Sequence, residues 1–413
     1  MNTPLRSSPP LRSPEQRRGD PNCSALAVVP SAGTTHGPRL EVDLSAIAAN
    51  TRLFAARTDA AVMAVVKADG FGHGAADVAR TALASGATSL GVTSIDEALA
   101  LRADGLGGRI LSWLNPLDAS YGAALVADVD LAVPSREHLD AVLRVASLQR
   151  PARVHLHLDT GMARDGAEPS VWPTLCRAAR RAERAGLLEV VGVMGHLGCA
   201  DDPGHEANAL GRRRFAWGLE VARGAGLRPT MRHLAATAAT LLDPRSHHTH
   251  VRIGAGLVGI DPTGTTALSH GLTLTAPVVS VRRVRAGTGV GYGHTWIAPA
   301  ATHLALLPLG YADGLPRVAS GRAEVLLRGR RRPVVGRISM DQVVVDLGDE
   351  AVRPGETATV LGPGAAGEPT VAEWAGWSDS IEHEVVTGIG SRVHRTAAPA
   401  AGTTAPARLR SLS

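Results

Sequence analysis

The sequence predicts an α/β protein: an N-terminal (β/α)8 barrel of the TIM type followed by a mostly β domain. Two observations carry this. From about residue 39, short apolar, β-branched runs alternate eight times with longer Ala/Leu/Arg-rich amphipathic stretches. After about residue 271 that rhythm stops, and strand-like runs succeed one another across Gly, Pro and Asp turns. Periodicity alone also admits an open doubly wound sheet for the first part. The 413-residue length suits two domains. They are read as a barrel over 38–270 and a β domain over 271–395, with tails at 1–37 and 396–413.

The first run, AVMAVVKA at 61–68, is apolar until it ends on Lys67. SLGVTS (89–94), RILSWL (109–114) and VDLAVPS (129–135) follow, each short enough for a strand. The intervening stretches 95–105 and 136–148 read as helices, the second opened by Ser135 with Glu137 in its first turn. RVHLHLDT (153–160), VVGVMGHL (190–197), PTMRHLAA (229–236) and HVRIGAGLVGI (250–260) complete the eight. In the second part LTLTAPVVSVRRV, THLALLPLGY, EVLLRGRRRPVVGRI and QVVVDLG are the strand candidates.

Composition excludes several classes. Apolar residues make up 44% and charged residues 20%, as in ordinary globular proteins. The formal charge of +5 sits mainly at the ends: residues 1–36 and 396–413 each carry +2, leaving +1 for the body. Those ends are rich in Pro, Ser, Ala and Thr and are read as disordered. With aromatics at 3% and no basic stripe, nucleic acid is not an expected partner. Cys23, Cys176 and Cys199 are odd in number and scattered, which suits a reducing compartment and gives no zinc spacing. No apolar segment reaches membrane-spanning length. The short run at 24–33 is broken by a proline and is not read as a cleaved leader. The expected setting is cytoplasmic.

Lys67 is the only lysine among 43 Lys plus Arg. Arginine supplies every other positive charge, but guanidinium cannot lose its proton and attack a carbonyl. A sole lysine closing an apolar run is therefore a candidate imine-forming nucleophile. In a βα barrel the chemistry sits where strands end. Those points hold Lys67, Trp113, Arg164, His196, Thr237 and Arg252, with Asp159 and Thr160 before Arg164 and Gly254 and Gly256 after Arg252. An amine, an imidazole, a hydroxyl, two guanidiniums and a glycine turn suit a carbonyl cofactor bearing a phosphate, the turn's N–H groups facing the anion.

AVVKADGFGHGA, LDTGMARDG, GVMGHL, RHLAATAAT, VRIGAGLVGIDP, GVGYGHTW, LALLPLGYADG and VVGRISMDQVVVDLG resemble, in order, the motifs of the alanine racemase family. The resemblance runs from about 38 to 395. It implies a head-to-tail homodimer with shared active sites and pyridoxal 5′-phosphate bound through Lys67. It implies that Tyr292, in the second domain, reaches the partner's cofactor, and that Lys67 and Tyr292 move the Cα proton on opposite faces. Arg252 would face the pyridine nitrogen; Trp113, His196, Thr237, Gly254, Ala255 and His383 would line the cofactor; Arg164, Tyr311 and the Met340 backbone would hold the substrate carboxylate. The implied activity is interconversion of L- and D-alanine, supplying D-alanine for peptidoglycan.

The family pattern is altered at several positions. Phe71 stands where a tyrosine is common, SIEHE places His383 where another tyrosine is usual, His157 replaces a frequent lysine, and Ala236-Thr237 replaces Asn-Ser. The altered pocket leaves a racemase for another small amino acid, such as serine, as a second reading. A barrel-fold decarboxylase is a third; it would want a carboxylate or cysteine where Tyr292 stands. A non-catalytic cofactor-binding protein is a fourth, opposed by retention of both bases.

Overall fold

The computed structural model describes residues 37–398. Most of the two segments read as tails, and the run at 24–33, lie outside the described residues. The first strand, β1 (Arg39–Asp43), stays out of the barrel. Eight strands then close into a parallel barrel: β2 (Ala61–Val65), β3 (Ala87–Val92), β4 (Arg109–Ser112), β5 (Asp130–Val133), β6 (Ala152–His157), β7 (Leu188–Met194), β8 (Met231–His233) and β9 (His250–Ile253). β9 returns to β2 with Ala61 opposite His250 and Ala64 opposite Ile253. Closure decides against the open sheet that periodicity had allowed.

Helices fill the gaps between strands, and their starts obey side-chain capping. Asp43 accepts from the Ser45 N–H at the head of Leu44–Ala56. Ser94 and Glu97 form a reciprocal capping box for Ile95–Ala103, each satisfying an N–H the helix cannot. Trp172–Arg184 buries Trp172, Leu175, Cys176, Ala179 and Ala182, a stripe at helical spacing. The helix expected over 136–148 ends at Leu143. Val145 and Leu148 beyond it are exposed, so no apolar face extends the helix.

The second domain is a nine-stranded sheet. β10 (Leu272–Pro277) lies between β1 and β18 (Thr357–Leu361), while β11 (Ser280–Val284) forms the far edge next to β14 (Thr302–Leu307). β15 (Glu324–Leu327), β16 (Arg330–Val335) and β17 (Val343–Gly348) complete its middle, and β19 (His394–Ala398) pairs in parallel with β1. β10 and β17 alternate buried and half-buried residues, the period-two pattern of a sheet with one covered face. β1 thus carries the start of the chain into the second domain's sheet, and β19 runs past residue 395 into the segment read as a tail. Leu40 and Val42, almost fully buried, fix that strand at about 1.5–3 kcal/mol each.

A two-stranded hairpin, β12 (Gly289–Val290) and β13 (Trp296–Ile297), stands apart from the large sheet. Gly291 and Gly293 flank Tyr292 at its tip with φ of +69° and +71°, left-handed values that a side chain disfavours. The GYG spelling is thus a backbone requirement for presenting a tyrosine on a tight turn.

Candidate active site

β2 ends at Val65, and the chain then makes an unusual left-handed turn. Ala68, Asp69, Gly70 and Phe71 have φ of 52°, 53°, 62° and 57°. For the three that are not glycine this costs on the order of 1–2 kcal/mol each. Local bonds offset part of it: Glu97 accepts the Ala68 N–H at 2.7 Å, and Asp69 accepts the Ala75 N–H at 2.8 Å. The turn places Lys67 at the barrel rim and swings Phe71 inward. A Cβ on Gly254 would lie 2.8 Å from the Phe71 ring, so glycine there is what lets the two segments touch.

Around Lys67 the field is positive. Burial lowers the pKa of its ammonium, Arg164 lowers it further, Glu97 opposes, and Arg252 adds to the lowering. Arg252 is 5% exposed in β9. Its Nη1 donates to the His233 carbonyl at 2.9 Å and lies 3.0 Å from His233 Nδ1; its Nη2 donates to the Gly195 carbonyl at 2.8 Å and lies 3.1 Å from His196 Nδ1. Burial pulls the guanidinium down to about 10, which leaves it charged at neutral pH. His196 is pushed down to about 3 by burial and then by Arg252 and Arg164, so its ring is neutral.

The strand ends are stitched together. Thr160 donates its hydroxyl to the His196 carbonyl at 2.5 Å and accepts the His196 N–H at 3.2 Å. Asp159 Oδ1 accepts the N–H groups of Gly161, Met162 and Ala163, bracing the loop that exposes Arg164. Thr237 accepts the Gly256 N–H at 3.3 Å, joining the loop after β8 to the Gly254–Gly256 turn. Trp113 packs on the barrel's inner apolar layer of Met63, Leu111, Ala132, Met194 and Met231. The second domain contributes one more piece. Helix Glu382–Gly388 packs on the Lys67 turn, with Val386 O only 2.5 Å from where a Gly72 Cβ would be. It brings the His383 ring within 6.2 Å of Phe71, and burial followed by the Lys67 charge lowers the His383 pKa.

Lys67, Phe71, Arg164, His196, Arg252, Thr237, Gly254 and His383 therefore form a connected group. Tyr292, Tyr311 and Met340 are absent from it. They form a second group on the β domain. Tyr311 N–H donates to Ser339 O and Ala312 N–H to Met340 O, both at 3.0 Å, while Gly293 lies against Arg337 on the same loop. Tyr292 is 72% exposed, Met340 52% and Tyr311 41%. The third tyrosine, Tyr121, is buried. On one chain the cationic rim and the two exposed phenols, Tyr292 and Tyr311, thus stand in different groups.

The chain matches the family model "Alanine racemase, N-terminal domain" over residues 42–262 and "Alanine racemase, C-terminal domain" over 271–397. It is 46% identical to the alanine racemase of Thermobifida fusca (strain YX), over 86% of this chain and 96% of that protein. The chain belongs to the alanine racemase family. The solved alanine racemase of D-cycloserine-producing Streptomyces lavendulae superposes with a TM-score of 0.86 at 42% identity, covering 89% of this chain and 98% of that one. The Bartonella henselae alanine racemase, solved with covalently bound pyridoxal phosphate, gives 0.79 at 26% identity, covering 88% and all of that chain. These relatives favour alanine racemase over the serine, decarboxylase and non-catalytic readings.

Within this alanine racemase family frame, the altered positions have definite surroundings. His157 is buried in β6, with Nδ1 3.3 Å from Asp165 Oδ2 but not aligned as a hydrogen bond. Burial pushes the Asp165 pKa up, but His157, the Gly166 N–H and His138 together outweigh it and the net shift is down. Three residues of the site are not legible from motif reading. Glu97 reads in the sequence only as a helix cap. His233 and His155 lie inside strands, where imidazoles are ordinarily structural. Their strands, ARVHLH and MRH, carry other polar residues as well, so residue type alone did not single them out.

Two expectations arise directly. Buried His73 is pushed down to about 4, mainly by burial, while in the unfolded chain histidine titrates near 6.5. Between those values the unfolded state binds more protons, so stability falls as pH drops below about 6.5. His73 alone should cost about 2 kcal/mol at pH 5, read as a lower Tm at pH 5 than at pH 7. Secondly, a Cβ on Gly310 would lie 2.2 Å from Ser339 O and 2.5 Å from Met340 O. Gly310→Ala should prise the Tyr311 and Met340 loops apart and lower kcat/KM for alanine by about tenfold or more, while a melt reports whether the fold survives.

Proposed function

We propose that this chain interconverts L- and D-alanine in an active site shared between two copies. Lys67 from one copy and Tyr292 from the other move the Cα proton on opposite faces of the substrate. The observation that supports this best is the division into half-sites: a lone lysine with a lowered pKa at a cationic rim, and an exposed tyrosine held on a two-glycine turn elsewhere.

Pyridoxal 5′-phosphate is the group the family implies, and the residues present fit it. The donor set combines the chain's only lysine with Arg164, Arg252 and His196, against the single opposing charge of Glu97. Such a site favours an anion carrying an aldehyde. Lys67 would hold the aldehyde carbon, the Gly254–Ala255–Gly256 turn with Thr237 would meet the phosphate, and Arg252 would face the ring nitrogen, with Trp113 and His383 alongside. When bound, the group withdraws electrons from the substrate Cα and acidifies its proton.

Lys67 takes or returns that proton at Nζ. Its lowered pKa leaves more of the amine unprotonated at working pH. Tyr292 Oη does the same from the opposite side. Arg252 keeps its own proton and so would offer the ring nitrogen a hydrogen bond without giving up that proton. Arg164, Tyr311 and the Met340 backbone orient the substrate carboxylate. We assign the activity to a cytoplasmic homodimer supplying D-alanine for peptidoglycan; among the described residues no helix is long and apolar enough to cross a membrane.

The test is a chiral product assay of the purified, cofactor-supplied protein against L- and D-alanine and L- and D-serine in deuterated water. Alanine should reach equal amounts of both enantiomers from either side, with deuterium at Cα. Faster conversion of serine, or no Cα exchange, would overturn the assignment.

A further inference from the structure

A line of buried polar groups crosses the barrel interior and ends at Arg252. At its far end Asp130, 1% exposed, opens β5 and pairs with Arg109 Nη1 at 2.9 Å and Arg153 Nε at 2.6 Å. Asp130 Oδ2 lies 3.4 Å from His155 Nε2. His155 Nδ1 lies 2.9 Å from His233 Nε2, and His233 Nδ1 lies 3.0 Å from Arg252 Nη1. Both histidines are fully buried.

Donor and acceptor roles along this line are forced from both ends. Arg252 has only N–H groups to offer, so His233 Nδ1 must accept and its proton must sit on Nε2. His155 Nδ1 must then accept that proton's hydrogen bond, which leaves His155 with a single proton on Nε2. That N–H points at the Asp130 carboxylate, an acceptor. A doubly protonated His155 would set two N–H groups against each other. The backbone is fitted to this arrangement: a Cβ on Gly192 would lie 2.0 Å from His155 Nδ1, and the β6–β7 register shifts between Val154 and His155.

We propose that Asp130 and His155 are positioning residues for the racemase site: the buried carboxylate fixes the tautomers of His155 and His233, so that Arg252 is held by acceptors alone. The guanidinium then has Nη1 anchored on β8 and Nη2 on the turn that follows β7, and His196, accepting at Nδ1, is left with its proton on Nε2. Without the carboxylate, His233 is free to carry its proton on Nδ1, which would oppose Arg252 and displace it. The consequence for turnover rests on the function proposed above, but the tautomers are measured without turnover, so the two fail separately.

The experiment is two-bond 1H–15N correlation NMR of the holoenzyme labelled with [15N]histidine, with His155, His196 and His233 assigned by single substitutions. All three should show protonated Nε2 and bare Nδ1. Asp130→Asn should convert His155 and His233 to mixed tautomers and lower kcat by about tenfold or more with little change in KM. A wild-type His233 protonated at Nδ1 overturns the proposal, and that reading needs no variant to fold. An Asp130→Asn protein with unchanged His155 and His233 signals overturns it equally.

Discussion

Replacing Lys67 by arginine should abolish racemisation by about a thousandfold or more while leaving the chain folded. Alanine at that position should do the same. The reason is that the proposed step needs an amine able to exist without its proton. Arginine keeps the positive charge and much of the stem but stays protonated, so the pair of variants separates charge from proton transfer. No other lysine in the sequence can substitute. The measurement is D-alanine formed from L-alanine by chiral chromatography, with a melt alongside. Because Lys67 is half-buried among Arg164 and Arg252, removing its ammonium relieves repulsion. Alanine should therefore leave Tm unchanged or slightly raised. An arginine variant running at the parent rate would remove the lysine from the mechanism.

Tyr292→Phe should be nearly as damaging, again by about a thousandfold, in both directions. A proton removed on one face must be returned on the other, and phenylalanine keeps the ring but loses the only exchangeable proton there. Tyr292 is 72% exposed at a hairpin tip, so the substitution should leave stability unchanged. The more telling result comes from mixing. Lys67→Ala and Tyr292→Phe chains, each inactive, should regain about a quarter of parental activity when denatured and refolded together. Half of the dimers would then be mixed, and one of the two sites in each would hold both native residues, if the interface is two-fold and the sites are shared. No recovery in mixtures shown to contain mixed dimers would place both residues in one chain's site.

Much of the architecture was legible because its signals are local. Eight apolar β-branched runs separated by amphipathic stretches report strands and helices one element at a time, and Ser135 marks a helix start through a bond to a residue three positions on. Strand ends were less legible. HVRIGAGLVGI continues apolar to Ile260, yet the strand stops at Ile253, because Gly254 must abut Phe71 and the chain turns there. Helix 136–148 was overestimated for the opposite reason: Val145 and Leu148 are apolar but stay exposed. The placement of β1 was invisible, since RLEVD reads as any short strand and only its partners, β10 and β19, decide which sheet it joins.

By itself the sequence determined the chemistry available: one lysine amine, its position at the end of the first barrel run, a tyrosine between two glycines, and the order of motifs that marks the family. Those are properties of residue type and near neighbours, which the chain carries before it folds. Only the tertiary structure decided that the rim gathers Arg164, His196 and Arg252 around Lys67, that helix Glu382–Gly388 delivers His383 to Phe71, and that Tyr292 faces outward. Only it aligned Asp130, His155 and His233 with Arg252, residues as much as 122 positions apart in the chain. Ring closure sets which side chains share an interior, and electrostatic and hydrogen-bond coupling depends on that distance through space, to which sequence separation gives no guide.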